Sequence, residues 1–129
     1  MWKVPLFDPD IGADELSAVS GPINDKWLAQ GKRTMEFEET FAEMLRVPHA
    51  VAVNSGTAAL HLAMSLADVG PGDEMIVPSL TFVATANAVR YTGAVPVFAD
   101  IESEDDLTIS VESIESRISS RTKGIIVVH

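Results

Sequence analysis

Residues 50–69, Ala-Val-Ala-Val-Asn-Ser-Gly-Thr-Ala-Ala-Leu-His-Leu-Ala-Met-Ser-Leu-Ala-Asp-Val, decide how this chain is read. Positions 50–53 are a short apolar run with alternating valines, the pattern of a buried strand. Asn54, Ser55 and Gly56 break the run, and from Thr57 the pattern turns helical. Ser55 suits an N-cap, because its hydroxyl can accept from the free backbone N–H groups of a first helical turn. Gly56, Thr57 and Ala58 leave that turn nearly bare of side chains. A strand that runs into such a start favours an anion, since free N–H groups and helix dipole act together there. The same small residues also permit close helix–strand packing, so the segment alone supports both readings.

Beyond Gly56 the polar positions Thr57, His61, Ser65 and Asp68 fall on one narrow line, and nearly everything else is apolar. Such a helix is expected to be covered on most of its circumference, by a sheet on one side and a further layer or second subunit on the other. His61, on the polar line, reads as exposed. Upstream, a helix is expected from about Thr34 to Arg46, with Phe37, Phe41, Met44 and Leu45 as its apolar stripe and Pro48 ending it. Its acidic residues Glu36, Glu38, Glu39 and Glu43 lie off that stripe and read as a solvated face. Residues 1–33 form an N-terminal arm and loop, in which Asp14 to Val19 could make a short helix stopped by Gly21-Pro22. Residues 34–129 form the α/β part.

Downstream, Gly70-Pro71-Gly72-Asp73 turns the chain into a strand, Glu74 to Val77, ended by Pro78. A helix from Ser79 to Thr92 stops at Gly93, and Val95 to Ala99 is the next strand. The acidic turn Glu102 to Asp106 reads as solvated loop. Ser110 can cap a short helix through Ile118, and Gly124 to Val128 is a last strand. Strands alternating with helices predict an α/β fold with a mainly parallel sheet and flanking helices. Ligands gather at the carboxyl ends of such strands, which brings Asn54–Ala58, Pro78–Phe82, Asp100 and His129 to one rim.

The net charge of −10 argues against nucleic acid or an anionic membrane as partner, since both need a basic surface. One helix N-terminus can still hold a small phosphorylated ligand. There is no cysteine, so neither disulfides nor thiol chemistry, and a cytoplasmic location fits. The first residues lack the regions of a secretory signal, and the apolar runs are too short to span a bilayer. No metal site is expected.

Several segments are more specific together than apart. Asn54-Ser55-Gly56-Thr57-Ala58-Ala59-Leu60 is followed by residues 70–85, Gly-Pro-Gly-Asp-Glu-Met-Ile-Val-Pro-Ser-Leu-Thr-Phe-Val-Ala-Thr, then by Gly93-Ala94-Val95-Pro96-Val97-Phe98 and Ile125-Ile126-Val127-Val128-His129. This succession, over about residues 22–129, resembles the DegT/DnrJ-type nucleotide-sugar aminotransferases, which are pyridoxal-phosphate enzymes of the aspartate-aminotransferase fold. Trp27-Leu28-Ala29-Gln30-Gly31 and Phe37-Glu38 resemble the family's N-terminal pattern.

The resemblance implies that Gly56, Thr57 and Ala58 bind the phosphate of pyridoxal 5'-phosphate and that the ring of Phe82 stacks on its pyridine. Trp27 and Gly31 match a loop on the substrate side, where Lys32 stands in place of a frequent proline. His129 matches the histidine of a Val-His-x-x-Gly stretch and receives no role. The family also needs a Schiff-base lysine and an acid beside the pyridine nitrogen, and none of Lys3, Lys26, Lys32, Lys123 or Asp100 matches them. The chain therefore reads as the N-terminal part of the family's large domain, inactive by itself, with unpaired strand edges and a half-covered helix. The implied reaction moves an amino group from an amino acid, glutamate in the family, to a nucleotide-linked keto-sugar, in a homodimer. A sugar dehydratase of the same family and a non-catalytic phosphate-binding module are the alternatives. A Rossmann dinucleotide binder is disfavoured, because no Gly-x-Gly-x-x-Gly follows a strand.

Overall fold

The computed structural model describes residues 8–129, so Lys3 and the readings made on the first seven residues lie outside it. The chain divides into two compact units, Met1–Ala52 and Val53–His129.

The first unit holds helices α1 (Ala13–Asn24) and α2 (Lys32–Leu45). The expected stop at Gly21-Pro22 is corrected, for α1 runs on to Asn24 with Pro22 inside it. Proline removes its own N–H donor and crowds the carbonyl four residues back, but it leaves the carbonyls that follow able to accept. The carbonyls of Gly21 and Pro22 still accept, from the N–H groups of Asp25 (3.0 Å) and Trp27 (3.0 Å). In α2 the stripe Phe37, Phe41, Met44 and Leu45 is largely exposed, and only Ala42 is buried. Arg46, in the left-handed region at φ 56°, ends α2 before Pro48 can act. Residues 50–53 are not a strand. A strand needs a hydrogen-bonded ladder, whereas the Ala52 N–H donates instead to Glu38 Oε1 at 2.7 Å. Glu38 is thus a backbone acceptor and not merely part of a solvated face.

The second unit runs α3 (Gly56–Leu66), β1 (Glu74–Pro78), α4 (Ala84–Tyr91), β2 (Val95–Ala99), α5 (Val111–Glu115) and β3 (Thr122–Ile125). The sheet is fully parallel, in the order β2-β1-β3, with Ile76 opposite Val97 on one side and Ile125 on the other. As the central strand, β1 is buried throughout and sends alternate side chains to two cores. Met75 and Val77 pack with Met64, Val69, Ala88, Val89 and Ala94. Ile76 packs on the opposite face with Ala99 and Ile109, flanked by Val97 and Ile114. The turn after α4 uses Gly93 at φ +84°, where a Cβ would stand 3.0 Å from Pro71 Cγ, so both conformation and space call for glycine.

Three element bounds differ from expectation. Helix α4 starts at Ala84 rather than Ser79, because the Ser79 N–H stays in the sheet, bonded to the Ala99 carbonyl at 2.8 Å. Helix α5 ends at Glu115, and β3 begins at Thr122 and ends at Ile125, its register shifting beside Glu74 and Met75. The acidic turn Glu102 to Asp106 is an exposed loop, as expected. Among the described residues no helix is long and apolar enough to cross a membrane.

The amino end of the sheet carries an ionic tie. Glu74, almost buried, accepts from Ser119 Oγ at 2.6 Å and from Arg121 Nε at 2.9 Å, and also pairs with the Arg121 Nη2. The Ser119 hydrogen bond first, then that from Arg121, holds the Glu74 carboxyl below the usual carboxylate range. A carboxylate with a depressed folded-state pKa contributes stability that is complete above its unfolded value, roughly 4.3 for glutamate, and is lost as pH falls through the folded value. Glu74→Gln is therefore expected to flatten the acid limb of a pH–stability profile followed by circular dichroism, leaving a smaller difference from wild type at low pH than at neutral pH.

Candidate functional site

The residues singled out as a phosphate cradle form the first turn of α3. Ser55 is the N-cap in extended conformation, and its Oγ accepts from the Ala58 N–H at 3.1 Å. The Ser55 carbonyl accepts from Ala59 N–H at 3.1 Å. The N–H groups of Gly56 and Thr57 have no hydrogen-bond partner among the described residues. Gly56 is exposed and a Cβ placed on it would meet nothing within 4 Å, so no side chain covers the start of the helix there. Two unpartnered N–H groups at an exposed, capped helix start can donate to an anion.

The body of α3 fixes which way that turn faces. Residues 67–73 lead directly from α3 into β1, and Lys123 Nζ, on β3, donates to the Asp68 carbonyl at 2.7 Å. The C-terminus of α3 is thereby held at the amino end of the sheet, so the helix leads away from that end and its first turn lies toward the carboxyl rim. Leu60 and Met64 pack onto the core, whereas Leu62 and Leu66 are exposed, Leu66 at 87%. Among the described residues only one side of the helix is covered. His61 is half-buried rather than exposed, its ring edge-on to Tyr91 with centroids 5.4 Å apart.

At the same rim, Ser79–Val83 follows β1 and presents Phe82, 77% exposed. Ser79 Oγ donates to Asp100 Oδ1 at 3.3 Å, which joins the loop after β1 to the end of β2. His129 is exposed beyond β3. The exposed aromatic face of Phe82 and the open helix start at Gly56 have the chemistry that a flat, phosphorylated ring needs. The residues present therefore fit the phosphate and ring ends of pyridoxal phosphate. Lys123, the one lysine of this unit, lies at the opposite end of the sheet, with Asp73 at 3.6 Å, and so does not match the cofactor's lysine.

Trp27 and Gly31 come together in the first unit. The indole N–H of Trp27 donates to the Gln30 carbonyl at 3.3 Å, and its ring lies against Gly31 so closely that a Cβ there would collide with Nε1. Lys32 is the first residue of α2. That is the helical position where proline is best tolerated, so lysine there preserves the same backbone. The loop borders an open groove of about 1020 Å³, lined among others by Val19, Ile23, Trp27, Leu28 and Arg33. The loop's tightness was hidden in the sequence, where Gly31 gives no sign of the ring stacked on it.

Three comparisons bear on this arrangement. The profile of the DegT/DnrJ/EryC1/StrS aminotransferase family matches residues 9–129. Over 127 residues the chain is 42% identical to a GDP-perosamine synthase of Vibrio cholerae, covering 98% of this chain and 34% of that protein. Over 126 residues it is 44% identical to the spore coat polysaccharide biosynthesis protein SpsC of Bacillus subtilis (strain 168), covering 98% of this chain and 32% of that one. Its structure superposes with a TM-score of 0.84 on Spr1654 of Streptococcus pneumoniae, a protein assigned as a sugar aminotransferase and solved in its PLP form. That pair is 33% identical over 96% of this chain and 31% of the other. The chain thus spans about a third of the length of the curated relatives it matches.

Proposed function

The chain belongs to the DegT/DnrJ/EryC1/StrS aminotransferase family, and we propose that it forms the cofactor phosphate-and-ring end of an enzyme that aminates a nucleotide-linked keto-sugar. The observation that carries the reading is the first turn of α3, where the Gly56 and Thr57 N–H groups lie unpartnered at an exposed helix start beside the Ser55 cap. Gly56 and Thr57 donate to the phosphate, Ala58 completes the turn with its N–H on the Ser55 cap, and Phe82 covers one face of the ring by offset stacking, worth about 0.5–1.5 kcal/mol beyond area burial. When bound, pyridoxal phosphate supplies the electron sink for amino-group transfer. The residues of this chain bind and orient it. Glutamate is the proposed donor, and Trp27 and Gly31 shape the substrate-side loop.

The proposal extends to a cytoplasmic homodimer, supported by the bare Leu62 and Leu66 face of α3. It also requires a lysine and an acid that no residue of this chain matches, so the 129 residues alone are expected not to transaminate. Equilibrium dialysis tests the binding half: the chain is expected to retain pyridoxal phosphate in preference to pyridoxal, with inorganic phosphate competing. Equal retention of the two, or none at millimolar ligand, overturns the assignment of the cradle. Incubation with pyridoxal phosphate, glutamate and a nucleotide-linked keto-sugar tests the other half, and formation of the amino-sugar by this chain would show that the missing lysine is not required.

A further inference from the structure

Phe82 is 77% exposed, and its neighbours Leu80 and Val83 are exposed too, at 52% and 61%. The ring is therefore held in place by the backbone that carries it and not by packing around it. That backbone is tied on both sides by side chains. Upstream, Ser79 donates its N–H to the Ala99 carbonyl at 2.8 Å and its hydroxyl to Asp100 Oδ1 at 3.3 Å. Asp100 is itself held from several directions: its N–H donates to Ser113 Oγ at 2.8 Å, its carbonyl accepts from the Ser110 N–H at 2.9 Å, and its Oδ1 accepts from the Ile101 N–H at 2.9 Å. Downstream, Thr81 Oγ1 and the buried Thr85 Oγ1 share a hydrogen bond of 2.8 Å, and the Phe82 carbonyl accepts from the Thr85 N–H at 3.0 Å.

We propose that Asp100 and Thr85 are positioning residues for Phe82, clamping the loop 79–83 at both ends so that the ring is already presented to the cofactor before it binds. The proposal rests on the cofactor reading above and assigns roles to two side chains that do not themselves touch the ring. Its physical basis is preorganisation: a loop with three exposed apolar side chains has no core to fix it, and ordering it on binding would subtract from affinity. The clamp settles that cost during folding. Asp100 contributes through Oδ1, which also anchors Ile101, so β2, α5 and the Phe82 loop share one fixed point. Thr85 contributes a hydroxyl, whose loss would leave Thr81 without this partner.

Amide hydrogen exchange on the full chain, read by NMR, tests the clamp without any ligand. In Asp100→Ala the Ser79 amide, and in Thr85→Val the amide of residue 85, are expected to exchange about tenfold faster, as loss of one hydrogen bond implies. Asp100→Asn keeps the acceptor and Thr85→Ser the hydroxyl, and both are expected to restore slow exchange. The Val77 amide, in β1, and the Ile126 amide, bonded to the Ile76 carbonyl just past β3, are expected not to change. Should Asp100→Ala fail to fold, Ser79→Ala removes the same bond from its other end. Unchanged exchange in all the disruptive variants overturns the proposal, as does a matching rise at Val77 and Ile126, which would mean global destabilisation. A second arm measures pyridoxal phosphate retention by dialysis, expected to fall in Asp100→Ala and Thr85→Val and to recover in the conservative pair. Altered loop exchange with unaltered retention also overturns it. If the wild-type chain retains no pyridoxal phosphate, the cofactor reading fails, while the exchange data still decide whether the clamp exists.

Discussion

Ile76→Ala is expected to lower the unfolding free energy by about 2–5 kcal/mol, the range for deleting a fully buried aliphatic side chain. Ile76 has no exposed surface and sits on the central strand, between Ala99 and Ile109 with Val97 and Ile114 beside them. Its neighbours belong to three different parts of the chain: β2, the segment before α5, and α5 itself. They are fixed by backbone pairing, including the antiparallel bridge between Ile101 and Ile109. Such a site cannot collapse onto the missing volume, so the cavity adds to the lost transfer energy. Since whole domains are stable by only about 5–15 kcal/mol, this one change removes a large part of the margin. Chemical denaturation should show a lower midpoint. Val111→Ala, at a side chain 64% exposed, serves as control and is expected to stay within about 0.5 kcal/mol. A midpoint equal to wild type for Ile76→Ala would mean that the second core contributes little.

Thr57→Glu is expected to have the largest effect on cofactor retention. Thr57 is the second residue of α3, next to the free donor of Gly56. A carboxylate there would repel a phosphate about 4 Å away by roughly 1–4 kcal/mol, between the bulk-water and protein-surface limits. Because each 1.4 kcal/mol is tenfold, pyridoxal phosphate should bind at least several-fold and up to several-hundredfold more weakly. The same carboxylate lies where the helix dipole favours negative charge, a gain of about 0.3–1 kcal/mol in helix stability. Weaker binding together with unchanged or raised thermal stability is thus the signature of a blocked phosphate site, which unfolding cannot mimic. Ser65→Glu, near the far end of the same helix, is expected to leave binding as it was. Dialysis against pyridoxal phosphate decides the matter, and equal affinity of Thr57→Glu and wild type would remove the phosphate from this turn.

The two experiments address parts of the molecule that were unequally legible. The helix start at Ser55 could be read directly, because an N-cap is a local device: one hydroxyl, three residues of chain, and the donor it satisfies. The strands over 74–78 and 95–99 were equally readable, since both are short apolar runs bounded by turn residues, although only the first is buried throughout. The run at 50–53 has the same composition and forms no strand, because a ladder depends on a partner that composition does not encode. The stripe of α2 behaves likewise, for periodicity marks a face able to be buried and says nothing of what covers it.

The division follows from range. The sequence alone determined what neighbours in the chain can settle: the capped turn at Ser55–Ala58, the parallel α/β alternation, and the family likeness. Tertiary structure alone decided what depends on residues far apart. It placed Asp100 against Ser79 across 21 positions, set Lys123 at the opposite end of the sheet from the rim, and put both Ile76 and Val77 into cores on opposite faces of one strand. Hydrogen bonds and packing of that kind form only once the strands have paired, so no local pattern announces them.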